Sequence, residues 1–129
     1  MIGAMTTPLI TVFGITNCDT VKKARTWLTD HGVAYVFHDF KKQGVPAELL
    51  PGWLTAVDWQ TLVNRKGTTW RKLDDTTRDA VNGAESAITL MLAQPSVIKR
   101  PVVVWQEGAI TVGFDAEVFA SRKALPNPR

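Results

Sequence analysis

The residue best placed for covalent chemistry is Cys18, the only cysteine among the 129 residues of the chain. It sits in Asn17-Cys18-Asp19-Thr20, a polar stretch between an apolar run and a helical pattern. Backbone N–H groups at a helix start lack partners within the helix, so they favour negative charge. A thiol placed there is biased toward the thiolate, its nucleophilic form. Lys22 and Lys23 follow closely and add positive potential. A free cysteine is often just a small buried hydrophobe; the polar neighbours of Cys18 favour the reactive reading. Position 21 is valine, so there is no Cys-x-x-Cys pair and no internal resolving thiol. An external thiol must release any mixed disulfide. Glutathione is the expected co-substrate, and its carboxylates would be drawn to cations.

Two more basic groups could supply those cations. Arg65, Lys66, Arg71 and Lys72 bracket Gly67-Thr68-Thr69-Trp70, which reads as a polar loop between helices. Lys99 and Arg100 immediately precede Pro101 and a strand pattern. Arginine binds carboxylates and oxyanions with a planar, two-pronged fork. Arg100 and Arg65 are therefore the preferred anchors, with Asn17, Lys22 and Pro101 completing the candidate binding set. The first basic run reads equally well as a solvated face with Trp70 holding the loop. A proline that opens a strand lies at an edge or uses special geometry, a cis bond included.

One cysteine and two dispersed histidines do not make a metal site, and no permanently bound cofactor is expected. A formal charge of +3 is a mild bias that fits small anionic ligands or a nucleic-acid-associated partner, and most often marks only a solvated cationic face. The expected substrate is a small-molecule or protein disulfide, with no direct nucleic-acid partner. No apolar run approaches the roughly 18 residues of a membrane span. Met1–Met5 has no basic region and does not read as a secretory signal; Met5 is an alternative start, and Met1–Ala4 is set outside the fold. With no disulfide framework, the expected compartment is the cytoplasm.

The elements that must position Cys18 follow from periodicity. Leu9–Gly14 reads as a buried strand. From Cys18 to His31 the apolar residues Val21, Ala24 and Leu28 form one helical stripe, with Asn17 as the cap and Gly32 as the left-handed terminator. Ala34–Phe40 is a second strand, which completes a βαβ unit with an expected right-handed crossover. Residues from Pro46 to Met91 read as helical pieces: Pro46–Val57, Trp59–Asn64, a helix capped by Asp74 or Asp75, and one through Ala84, Ala87, Ile88 and Met91. Pro101–Trp105 and Ala109–Gly113 flank a tight Glu107-Gly108 turn, and Asp115 caps a last helix through Phe119. The expected fold is α/β: one domain with a mixed four-stranded, thioredoxin-like sheet (βαβ then ββα). Its core spans about 9–44 and 98–120, a mainly helical insertion spans about 45–97, and 1–8 and 121–129 are flexible.

Three stretches carry a family resemblance: Gly14-Ile15-Thr16-Asn17-Cys18-Asp19-Thr20-Val21-Lys22-Lys23-Ala24, Asn64–Leu73 and Ile98-Lys99-Arg100-Pro101. In this order they resemble the arsenate reductase–related ArsC/Spx family, most closely its YffB branch. The resemblance implies a thioredoxin-like fold and a cis Pro101 after a functional Arg100. It implies that Cys18 is the nucleophile, and that either Arg65 or Asn64 takes the position of a second family arginine. Beyond the hairpin, arsenate reductases place another arginine where this chain has Gly113-Phe114-Asp115, which weakens arsenate as the substrate. YffB-type proteins are proposed glutathione-dependent thiol reductases, the reading adopted here, with arsenate reduction through glutathione and glutaredoxin as an alternative. Spx-like proteins bind RNA polymerase, a third reading, although Val21 removes the Cys-x-x-Cys switch.

Overall fold

The computed structural model describes residues 10–124. Its elements run β1 (Ile10–Gly14), α1 (Asp19–Asp30), β2 (Tyr35–Asp39), α2 (Phe40–Gln43), a 3-10 turn (Ala47–Leu49), α3 (Leu50–Ala56) and α4 (Trp59–Leu62). They continue with α5 (Thr68–Lys72), α6 (Asp75–Asp79), α7 (Ala84–Ala93), a 3-10 turn (Pro95–Val97), β3 (Val102–Val104), β4 (Ile110–Val112) and α8 (Ala116–Ala124). Two compact units result. One comprises the described residues up to Asp39 and from Arg100 onward; the other is Phe40–Lys99.

The first unit is a mixed sheet in the order β2-β1-β3-β4. β1 and β2 are parallel, joined through α1 as the βαβ pattern predicts, while β1–β3 and β3–β4 are antiparallel. Ile10 and Val12 of β1 and Val103 of β3 share a core with Ala24 and Leu28 of α1, and with Trp105 and Phe119. Phe119 of α8 is fully buried, and Trp27, Trp105 and Phe114 all meet its ring edge-on, with centroids 4.9–5.6 Å away. Trp105 is amphipathic, and its Nε1 donates to Thr111 Oγ1 at 2.9 Å across the hairpin.

The boundaries have local causes. Gly32 adopts φ +69°, and the N–H groups of Gly32 and Val33 return to the carbonyls of Thr29 and Leu28. That pair of bonds is a Schellman ending, which satisfies carbonyls that α1 would otherwise leave open. The hairpin loop is Gln106–Gly108, closed by Gly108 N–H to Trp105 O, with Gly108 at φ +94°. Asp115 Oδ1 accepts from Glu117 and Val118, so the expected cap starts α8. That helix runs to Ala124, so Ser121–Ala124 is helical instead of a loose tail. Residues 1–9 and 125–129, which include most of both expected flexible ends, lie outside the described residues.

In the second unit, α3 and α7 bury Leu50, Trp53, Ala87, Leu90 and Met91. Two expectations change here. Thr68–Lys72 is the helix α5, not a loop. Two threonines and a tryptophan are modest helix formers; Arg78 offsets this, because its Nη1 donates to the carbonyls of Trp70, Arg71 and Leu73 at the end of α5. α4 stops at Leu62, because Val63 pairs with Ile98 in an isolated antiparallel bridge.

Candidate active site

β1 and β2 end together at the pair Gly14–Asp39, and β3 begins at Val102, opposite Phe13. This register brings three features to one end of the sheet: the loop into Cys18, Asp39, and the Arg100-Pro101 step. Gly14 sets how close α1 comes to that end. A Cβ at Gly14 would lie 2.8 Å from Cγ2 of Val21, a fully buried, β-branched side chain with little room to move.

Cys18 itself occupies the N-cap of α1, with extended backbone (φ −152°, ψ 119°), and its carbonyl accepts the first helical bond from Lys22 N at 2.9 Å. The cap expected from Asn17 is therefore displaced by one residue. Asn17 is exposed, and neither it nor Cys18 makes a side-chain hydrogen bond among the described residues. The N-cap is the position whose side chain can accept from the N–H groups of the first turn. Here the position holds the half-buried Cys18, and the open donors of the first turn favour the charge of a thiolate at that place. Lys22 and Lys23 are exposed on the next turn.

The Arg100–Pro101 peptide is cis, and Pro101 is buried. Pro101 O accepts from Gly113 N at 2.8 Å, which ties the start of β3 to the end of β4. Arg100 is half-buried, with its Nε shielded from solvent. Past the hairpin, Phe114 packs on Phe119 and Asp115 caps α8. That stretch supplies an aromatic ring and a carboxylate, not a cation.

Arg65 belongs to the second unit. There it lines a groove of about 480 Å³ with Asn64, Lys66 and Lys99, and its guanidinium lies 5.7 Å from the centroid of the Trp59 ring. Asn64 is used differently. Its N–H donates to Val97 O at 2.7 Å and its Oδ1 accepts from Lys66 N at 3.3 Å, so the side chain closes the turn.

One cation of α1 is marked by none of the sequence motifs. Arg25 follows Cys18 by seven and Lys22 by three, a spacing that returns to the same helix face. Its Nε donates to Tyr35 Oη at 2.9 Å, and its Cζ lies 4.0 Å from the centroid of the Phe37 ring. The helical spacing places it on that face, but its anchoring depends on Tyr35 and Phe37 of β2.

A family model, that of the ArsC family, matches residues 13–121. The chain belongs to the ArsC family. A solved structure named YFFB protein is 49% identical, with a TM-score of 0.82, and the match covers 89% of this chain and 99% of that one. An arsenate reductase (ArsC) related protein from Brucella melitensis is 48% identical, with a TM-score of 0.70 over 95% of this chain and all of that one. The global transcriptional regulator Spx of Streptococcus pyogenes is 26% identical over 120 residues, 88% of this chain and 87% of its own. The ArsC-family match bears out the thioredoxin-like α/β fold and the resemblance carried by the cysteine loop. Among the described residues no group of three or more His, Cys, Asp or Glu could hold a metal ion, and no helix is long and apolar enough to cross a membrane.

Proposed function

We propose that this ArsC-family chain is a glutathione-dependent thiol–disulfide oxidoreductase. The observation that carries the reading is Cys18 at the N-cap of α1, where among the described residues no other side chain takes up the donors of the first turn. The Cys18 thiolate attacks one sulfur of a disulfide. A new S–S bond forms to Cys18, the old S–S bond breaks, and the departing thiolate carries away the electron pair. Glutathione thiolate then attacks the mixed disulfide and releases Cys18. With no second cysteine in the chain, this second step requires the outside thiol. Arg100 and Pro101 share the sheet end with Cys18, which supports them as binding groups, together with Asn17 and Lys22. Arg65 is kept as a candidate carboxylate anchor, carried by the second unit.

The direct test is incubation with glutathione disulfide, followed by intact mass spectrometry and by turnover of a disulfide substrate with glutathione. The expected result is a single glutathione adduct on wild type, no adduct on Cys18→Ser, and turnover lost with the adduct. Unmodified wild type, or full turnover in Cys18→Ser, would overturn the reading. Arsenate is the weaker substrate, because Phe114 and Asp115 stand where the resemblance asks for a cation. The similarity to Spx favours a second reading, a regulator that binds RNA polymerase. Capture of purified polymerase by wild type and by Cys18→Ser alike, without disulfide turnover, would favour that reading over the enzyme.

A further inference from the structure

Arg25 holds two of its three guanidinium nitrogens in reserve. Nε is committed to Tyr35 Oη, and the guanidinium rests on the Phe37 ring. Among the described residues, neither Nη nitrogen makes a hydrogen bond or an ion pair. An arginine held through Nε and a ring face keeps its two-pronged edge for a carboxylate. Being oriented beforehand, it loses less freedom on binding than a loose surface arginine does. The helix sets its distance from the thiol. At 1.5 Å per residue, Lys22 and Arg25 lie about 6 and 10 Å along the axis from Cys18, on one face. In a tripeptide whose central residue carries the sulfur, a terminal carboxylate lies within about 7 Å of that residue in the extended chain. With the disulfide and the Cys18 side chain added, a peptide joined to Cys18 and running along α1 brings that carboxylate to the level of Arg25, passing Lys22 on the way.

We propose that Arg25 is a carboxylate-binding subsite, and that it selects disulfides with an anionic peptide half over neutral ones. Tyr35 is its positioning residue. The inference rests on Cys18 being the reacting thiolate and adds the group that chooses its partner. The test uses the full chain with two disulfides: glutathione disulfide, and the neutral 2-hydroxyethyl disulfide. The rate of Cys18 mixed-disulfide formation is followed by mass spectrometry, and the readout is the ratio of the two rates, which does not depend on the fraction of active protein.

In Arg25→Gln the preference for glutathione disulfide should fall about tenfold, the effect of losing one charge-assisted contact. Arg25→Lys keeps the charge without the fork, so it should recover only part of that preference. Tyr35→Phe releases Nε and should lower the ratio by a smaller factor than Arg25→Gln does. An unchanged ratio in Arg25→Gln overturns the subsite and leaves the reactive thiol standing. If wild type forms neither adduct, the reading of Cys18 falls and the subsite falls with it.

Discussion

The starts of α1 and α6 solve the same problem in opposite ways. At α6, Asp74 takes the N-cap and its Oδ1 accepts from Thr77 N at 2.7 Å. At α1 the same position holds Cys18, whose side chain makes no cap hydrogen bond among the described residues. The starts of α3 and α5 also lack a side-chain cap, whereas three others follow the α6 solution. Asp58 and Asp115 accept from the first turns of α4 and α8, and Ser86 Oγ reaches back to the N–H of Gly83 at the start of α7. A capping oxygen is worth about 1 kcal/mol to a helix. At α1, the helix that carries the fully buried stripe Val21, Ala24 and Leu28, that gain is forgone. The difference teaches where stability and chemistry compete: donors left open at a well-packed helix can serve a thiolate, whereas donors closed by a carboxylate cannot.

The comparison breaks most easily at Gly14. α6 is closed by its own cap, but α1 depends on the close approach of β1, with only 2.8 Å between a Gly14 Cβ and Val21 Cγ2. Gly14→Ala should destabilise the protein by about 1–3 kcal/mol, the usual range for overpacking a filled core. It should also slow Cys18 modification in the protein that remains folded, because the first turn of α1 is pushed from the sheet end. Urea denaturation measures the first effect and alkylation of native protein the second. Wild-type stability in Gly14→Ala would mean that the approach is not tight and that α1 is positioned by other contacts.

What could be read beforehand followed the reach of the interactions involved. The hairpin, Gly32, a cap at Asp74 or Asp75 and the cap Asp115 are local, set by side chains within a few residues, and the βαβ unit follows from the apolar periodicity of each of its elements. The cap of α1 is not legible, because cysteine is not among the usual capping residues and the sequence points to the amide of Asn17 beside it. α5 looks like a loop in the sequence because Thr68, Thr69 and Trp70 are weak formers and the bonds that hold its last turn come from Arg78. Arg25 went unnoticed because its meaning depends on Tyr35 and Phe37 of the next strand. At the candidate site, Cys18 and Arg100-Pro101 were legible as motifs. Their meeting at one sheet end needed the antiparallel register of β1 and β3.

A smaller effect sharpens the comparison from the other side. Cys18→Asp puts at α1 the carboxylate that α6 already has. If the open cap is a cost accepted for reactivity, the variant should gain roughly 0.5–2 kcal/mol of stability while losing all disulfide exchange. Cys18→Ala, which neither caps nor reacts, is the reference that separates capping from loss of sulfur packing. Thermal melts of the three proteins decide it. Cys18→Asp melting no higher than Cys18→Ala would mean that the α1 donors have no use for a cap, and the contrast with α6 would lose its energetic basis.

The smallest effect concerns acid. Hydrogen bonds from the Thr77 side chain and backbone, with a lesser contribution from the Arg78 charge, hold the Asp74 carboxyl below its ordinary value of 3.8. A group whose folded pKa lies below its unfolded one stabilises the fold above the unfolded value, and that contribution fades as pH falls through the folded value. The Asp74 contribution should therefore be complete at pH 6 and shrink progressively below about pH 4. Asparagine caps about as well as aspartate but carries no charge. Asp74→Asn should thus melt slightly below wild type at pH 6, and the gap should narrow steadily as the pH is lowered below about 4. Asp74 is exposed, so added salt should narrow the part of the gap that depends on Arg78 and leave the hydrogen-bonded part. Cys18→Asp supplies the matching measurement at α1. If its advantage over Cys18→Ala fades over the same acid range, both helix starts hold a carboxylate in the same way. What then distinguishes α1 in the native chain is the sulfur in that place.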